Sequence, residues 1–193
     1  MPASPASSDS LLLRPSAARD VAAIAAIYAW SVEHGSGTFE LEAPSPEEVA
    51  RRRDDVCGKR LPWLVAERGE RVLGFAYANH FRPRPAYRFA LEDSIYLAPE
   101  ATGHGIGRLL LAELIARCEA LGARQMFALV GDCDNLASIG VHRALGFTQV
   151  GVMRAAGWKF DRWLDVVILQ RPLGLGATAA PVNTAAPLDP ATA

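Results

Sequence analysis

The chain has 193 residues, half of them hydrophobic, a formal net charge of −1 and a pI near 6.4. That is enough for one well-packed core and not comfortably for two, and the even balance of charge gives no basic stripe for a nucleic acid. Cys57, Cys118 and Cys133 are odd in number, far apart and without C-x-x-C spacing. This suits free thiols in a reducing compartment, so a cytoplasmic protein with no metal is expected. No membrane attachment is expected either: Leu11 to Leu13 is too short for the apolar part of a signal peptide, and no apolar run approaches the roughly 18 residues of a membrane span. Residues 1–10 and 174–193 are dominated by Ala, Ser, Pro, Thr and Gly and are expected to be disordered, leaving residues 11–173 as the folded domain.

Leu11 to Arg14 reads as a short strand stopped by Pro15. From about Ala17 to Glu33, Val21, Ile24, Tyr28 and Ser31 fall on one face of an amphipathic helix that Gly35 ends. The loop after it sets Phe39 among small and polar residues, either as an anchor in the core or as the wall of a pocket. Ser45-Pro46-Glu47-Glu48 opens a second helix, with Ser at the N-cap, Pro at the first helical position and Glu two further on. Its arginine run, Arg51 to Arg53, is followed at once by Asp54 and Asp55 and reads as a solvated face. Trp63 to Ala66 and Arg71 to Phe81 are β-rich and joined across Gly69-Glu70 as a hairpin. The proline-stiffened loop R-P-R-P-A-Y-R then presents Arg82, Arg84 and Tyr87 in fixed directions, as a plain polar loop or, the favoured reading, as a binder of carboxylate or oxyanion.

Glu92 to Leu111 carries the most information. A β-rich run, Ser94 to Leu97, enters a loop with alternating Gly103, Gly105 and Gly107 and opens onto a leucine-rich helix. Such glycines let backbone approach an anion, and the first turn of a helix offers unpaired N–H groups and a positive dipole end. A dinucleotide-binding fold would need G-x-G-x-x-G in its first βα unit and an acidic residue about 20 positions on, and a P-loop would need Gly-Lys-Ser/Thr; neither is present. After the helix, which Gly122 ends, come a buried strand (Gln125 to Val130), a helix from about Ala137 to Leu145, and strands at Thr148 to Arg154 and Trp163 to Gln170. The order is β-α-α-β-β-β-α-β-α-β-β with a mixed sheet, an α/β architecture.

Strand, proline, G-x-G-x-G, helix, strand, then Asn and Ser ahead of a helix ending in L-G-F resembles the acetyl-CoA-binding core of the GNAT N-acetyltransferases. W-L-V-A-E, F-A-Y-A, A-Y-R-F-A-L-E-D-S-I-Y-L, A-S-I-G-V-H-R-A-L-G-F and A-A-G-W-K-F-D-R-W-L-D resemble, in order, the phosphinothricin N-acetyltransferase family with its methionine sulfone and sulfoximine members. The resemblance covers about Leu11 to Arg171.

It implies the GNAT fold, acetyl-CoA as co-substrate, a small amino-acid-like acceptor and a homodimer. It implies Glu92 as the group accepting the amine proton and His142 as the group protonating the thiolate, a position where many relatives have tyrosine. Ile95, Tyr96 and Leu97 would lie along the pantetheine. Thr102, Gly103, His104, Gly105, Ile106, Gly107 and Arg108 would hold the pyrophosphate, and Asn135 and Ser138 would also contact the cofactor. Phe39, Trp63, Arg82, Arg84, Tyr87, Asp93, Ser94, Lys159 and Trp163 are the acceptor-site candidates. One departure stands out: the superfamily usually has Gln or Arg where this chain has Thr102, so weaker acetyl-CoA binding is expected, with Arg108 or His104 as a compensating cation. Two other readings are a GNAT enzyme for protein N-termini or polyamines and a non-catalytic acyl-CoA sensor.

Overall fold

In a computed structural model, which describes residues 10–181, the chain runs β1 (Leu11–Pro15), α1 (Val21–His34), α2 (Pro46–Gly58), β2 (Trp63–Arg68), β3 (Arg71–His80), β4 (Ala90–Leu97), α3 (Ile106–Ala120), β5 (Gln125–Gly131), α4 (Leu136–Ala144), β6 (Thr148–Lys159) and β7 (Arg162–Pro172). The expected element order holds. The strands form one seven-stranded sheet in the order β1-β2-β3-β4-β5-β7-β6, antiparallel except where β4 meets β5.

That parallel contact is brief. Its register is Ala90↔Gln125, Leu91↔Met126 and Glu92↔Phe127, and it stops there, whereas β4 stays paired with β3 up to Gly74↔Leu97 and β5 with β7 up to Gly131↔Val166. Past Glu92 the two strands therefore splay.

Alternation along β4 sorts its side chains between two helical layers. Tyr96 packs edge-on against Tyr28 of α1, so Glu92, Ser94 and Tyr96 share the α1 face with Phe75 and Tyr77 of β3. Asp93, Ile95 and Leu97 point to the other side, where a Cβ on Gly107 of α3 would come within 3.3 Å of Leu97 and 3.7 Å of Ile95. Leu110, Leu111, Leu114, Ile115 and Cys118 of α3 are buried there.

Several local readings change. The expected helix from Ala17 begins as a separate 3₁₀ turn, Ala18–Asp20, because the buried Asp20 carboxylate accepts from the Ala17 amide at 2.7 Å and from the Arg14 guanidinium at 2.6 and 2.8 Å. Ser45 does cap α2, accepting from the Glu48 amide at 3.3 Å. The three arginines of that helix serve the fold: Arg51 and Arg52 pair with Glu48, Arg52 also with Glu40, and Arg53 holds the Ser16 hydroxyl and carbonyl. The last hairpin is longer than its sequence suggested. Ala155 to Lys159 is strand, interrupted by a bulge between Met153 and Gly157, and Phe160 and Asp161, both at positive φ, close a two-residue turn.

The expected disorder of residues 1–9 and 182–193 lies outside the described residues. Within Gly174 to Pro181, expected to be part of that tail, Gly176 N–H donates to the carbonyl of the buried Leu173 at 2.8 Å, and Arg124 donates to the carbonyls of Ala179 and Ala180.

The loop between α1 and α2 is clamped onto β5 and the final hairpin. Lys159, 3% exposed, donates to the carbonyls of Gly35 at 2.9 Å and Thr38 at 2.8 Å. A Cβ on Gly131 would collide with the Ser36 carbonyl, and one on Gly157 with the Phe39 ring. Lys159→Met keeps the apolar stem but orphans both carbonyls, so it should cost about 1–3 kcal/mol per group left unpaired. Thermal unfolding should fall accordingly, with faster amide hydrogen exchange concentrated in residues 35–39; unchanged exchange there would remove the clamp.

Candidate active site

The splay opens a cavity of about 890 Å³. One wall is the free edge of β4 beyond Glu92, the other is Ala128, Leu129 and Val130 of β5. Its floor and ends are supplied by α1 with the following loop, by the glycine loop, and by the start of α4.

At one end, Gly103 and Gly105 sit at φ +78° and +76° with open space where a Cβ would be, so backbone alone forms the surface. Gly105 is the N-cap of α3, which aims the first-turn amides and the positive dipole end at the same space. Gly107 differs in purpose, since it lets α3 approach β4. Thr102 donates its hydroxyl to the Pro99 carbonyl at 2.7 Å, and exposed His104 places Nδ1 2.8 Å from the Thr102 carbonyl. Arg108, not His104, lines the cavity. Ile106 is core.

The far side of this end is the start of α4. Asn135 caps it, its Oδ1 accepting from the Ser138 amide at 3.2 Å, and both residues line the cavity. The preceding turn is held by Asp132, a buried residue at φ +73° whose carboxylate accepts from the Arg162 guanidinium and from the Asp134 amide. Burial works against that charge, but Arg162 and the amide outweigh it and hold its pKa below the usual value.

Glu92 sits at the vertex, on the α1 face, as the last residue of β4 paired with β5. Burial pushes its carboxyl above the ordinary 4.5; the Arg82 charge pulls it down and the Asp93 charge pushes it up. Ser94, Tyr77, Phe39, Trp30 and His34 line the space on that face. Across the strand, Asp93 is buried beside His142 of α4, with Oδ2 2.9 Å from Nε2, and the other ring nitrogen lies 2.7 Å from the Ser138 carbonyl. Burial disfavours the charged ring, yet the Asp93 hydrogen bond and charge and the Ser138 carbonyl raise the His142 pKa overall.

The structure thus brings together Glu92, Asp93, Ser94, Ile95, Tyr96, Leu97, Thr102, Gly103, Gly105, Gly107, Arg108, Asn135, Ser138, His142 and Phe39 around one cavity. Asp93, expected at the acceptor end, is on the opposite face, because neighbouring strand residues point to opposite sides. Trp63 is core, stacked on Tyr77 at 4.2 Å, and Lys159 is the loop clamp. Trp163 is exposed and meets Trp158 near the hairpin tip, while Arg82, Arg84 and Tyr87 form an exposed loop outside the cavity lining. Sequence reading missed Trp30, His34, Tyr77 and Asp132. The glycine-flanked loop after α1 was the available signal for the first two; nothing in the pattern marked Tyr77 as facing a site.

The model of the Acetyltransferase (GNAT) family matches residues 24–147. The chain belongs to this family. It is 53% identical over 162 residues to a phosphinothricin N-acetyltransferase of Alcaligenes faecalis, covering 84% of this chain and 82% of that one. It is 36% identical over 162 residues to an L-methionine sulfoximine/L-methionine sulfone acetyltransferase of Pseudomonas aeruginosa, covering 82% and 92%. A crystal structure of a GNAT phosphinothricin acetyltransferase from Sinorhizobium meliloti in complex with acetyl-CoA superposes with a TM-score of 0.87 at 49% identity, covering 90% of this chain and 94% of that one.

The Arg82 charge favours ionised Glu92, so Arg82→Gln should raise the Glu92 pKa. In a GNAT reaction that uses Glu92 as base, the acid limb of kcat/KM then moves to higher pH. Because Arg82 is exposed, added salt should shrink the difference between variant and parent. A limb that stays put at low salt would show that the arginine loop does not reach the base.

Proposed function

We propose that the protein transfers the acetyl group of acetyl-CoA to the α-amino group of a small amino acid or analogue carrying a tetrahedral oxidised phosphorus or sulfur, such as phosphinothricin, methionine sulfoximine or methionine sulfone. The observation that carries this reading is the cavity in the splay, which joins a backbone anion cradle to a half-buried carboxyl whose pKa is raised, in a chain similar to enzymes of that name. The whole of residues 11–173 is taken as the catalytic domain.

The anion cradle suits a pyrophosphate: two glycines leave backbone exposed, the α3 N-terminus points there, and Arg108 adds a cation. The thioester arm then runs along the unpaired edge of β4, where a backbone N–H polarises the carbonyl and stabilises the tetrahedral oxyanion. The acceptor enters from the α1 face among Phe39, Tyr77 and Ser94. Its nitrogen attacks the thioester carbon; the N–C bond forms, the C–S bond breaks, and the pair goes to sulfur. Glu92, directly or through water, takes the proton from nitrogen, and His142 supplies one to the thiolate. The free thiols support a cytoplasmic setting, and the family resemblance supports a homodimer working without nucleic acid or membrane.

A thiol-release screen with acetyl-CoA over phosphinothricin, methionine sulfoximine, methionine sulfone, common amino acids and spermidine tests the proposal. Turnover is expected with the first three; turnover with spermidine alone, or with nothing, overturns it. Glu92→Gln should lower turnover by about 10²-fold or more. Thr102→Arg should lower the KM for acetyl-CoA, since the present side chain faces the Pro99 carbonyl instead of the anion cradle; an equal or higher KM would show that Arg108 and the backbone suffice.

A further inference from the structure

Trp30 and His34 lie one turn apart near the end of α1, and both line the cavity. Their rings stack with centroids 5.0 Å apart and planes 14° from parallel. The Trp30 carbonyl can only accept, so the proton in its 3.0 Å contact with His34 sits on Nδ1 and fixes that ring. Trp30 is 39% exposed and stands outside the buried core. The pair is a flat aromatic shelf on the cavity wall.

Two contacts fix its level along the splay. Just before it on α1, the Tyr28 ring meets Tyr96, which is four residues past Glu92 on β4 (96 − 92). Just after it, the chain reaches the end of β5 and the start of α4: a Cβ on Gly131 would lie 2.0 Å from the Ser36 carbonyl, and one on Gly37 would lie 3.8 Å from Asn135 Nδ2. Gly131 is likewise four residues past Phe127 (131 − 127). At a rise of about 3.3 Å a residue, both markers stand about 13 Å from the vertex. Acetyl-CoA carries its paired methyl groups on a carbon about ten bonds from the sulfur, or about 12 Å away at full extension. From α4, Ala137 and Val141 line the cavity, with exposed Asp134 beside them.

We infer that the Trp30–His34 shelf is the binding surface for the branched, uncharged middle of the acetyl-CoA arm, with the paired methyl groups against the indole face. This rests on acetyl-CoA being the donor, as proposed above. The indole offers a broad apolar surface that is already ordered by its stack on His34, so covering it with methyl groups removes apolar area from water at little cost in side-chain freedom. The glycine loop and Arg108 hold the charged end of the cofactor, and Glu92 stands at the reacting end. The Thr102 hydroxyl is engaged by the Pro99 carbonyl, so the phosphate end gains no donor from that side chain, and the shelf adds affinity between the two ends.

Calorimetric titration of the parent, Trp30→Ala, Trp30→Phe and Arg108→Ala tests this with three ligands: CoA, pantetheine, which lacks the nucleotide, and adenosine 3′,5′-bisphosphate, which lacks the arm. Trp30→Ala should weaken CoA and pantetheine by a common factor of about tenfold and leave the bisphosphate unchanged, which also shows that the variant is folded. Trp30→Phe should keep most of the affinity, since a ring face remains. Arg108→Ala should show the opposite pattern, losing CoA and bisphosphate affinity while binding pantetheine as the parent does. Pantetheine binding that is equal in Trp30→Ala and the parent overturns the inference. So does a Trp30→Ala enzyme whose sole defect is a raised KM for the amine, because the shelf would then belong to the acceptor. If the parent binds CoA but acetylates no amine, the function proposed above fails while the pantetheine titration still decides the shelf; a parent that binds none of the three overturns both.

Discussion

The parting of β4 from β5 after Glu92↔Phe127 is the constraint from which the site follows. A strand edge inside a protein carries N–H and C=O groups that must find partners, so an open edge in mid-sheet is tolerable only where solvent or a ligand serves it. Here both strands remain anchored on their outer sides, β4 to β3 and β5 to β7, so the gap is held open by covalent continuity and two intact ladders. The glycine loop leaves the end of β4 and α4 starts shortly after β5. Both helix N-termini consequently border the same opening, and an extended ligand can run from one to the vertex.

Everything beyond the vertex is arranged to keep that gap closed on the α1 side. The loop after α1 has few apolar residues of its own, and Phe39 is pressed into room made by Gly157, beside Gly131. Lys159 supplies the hydrogen bonds, and burial lowers its pKa. Asp165, bonded to the Arg154 guanidinium and the Ala155 amide, fixes the bulge that brings Lys159 underneath. A residue that looked like pocket lining thus stands one step behind the cavity, bonded to Gly35 and Thr38, which line it.

Element order and the anion cradle were legible in the sequence because they depend on local signals: period, caps and glycine spacing. The Ser45 cap and the Gly69-Glu70 hairpin fell where expected for the same reason. What was not legible depends on contacts between distant segments. Asp20 starts its own 3₁₀ turn because Arg14 reaches it, and β6 extends because Asp165 stabilises the bulge. Trp63 reads as a pocket aromatic in one dimension and is core in three, since the Trp63↔Tyr77 pairing stacks it behind the ring that does face the cavity. Asp93 was grouped with the acceptor-site candidates, whereas the pleat sends it to the face opposite Glu92.

That separation gives the two carboxyls different surroundings. Two carboxyl groups one residue apart in sequence would be poor partners on one surface, where each would oppose ionisation of the other. The pleat sends Glu92 to the α1 face, where burial and the counter-charge of Arg82 compete and the carboxyl is left more basic than usual. It sends Asp93 to the α4 face, against an imidazole. Acyl transfer from a thioester to an amine must remove a proton on one side of the carbonyl carbon and deliver one on the other. Under the proposed acetyl transfer, the strand offers Glu92 for the first of these tasks on one face, and His142 stands beside Asp93 on the other.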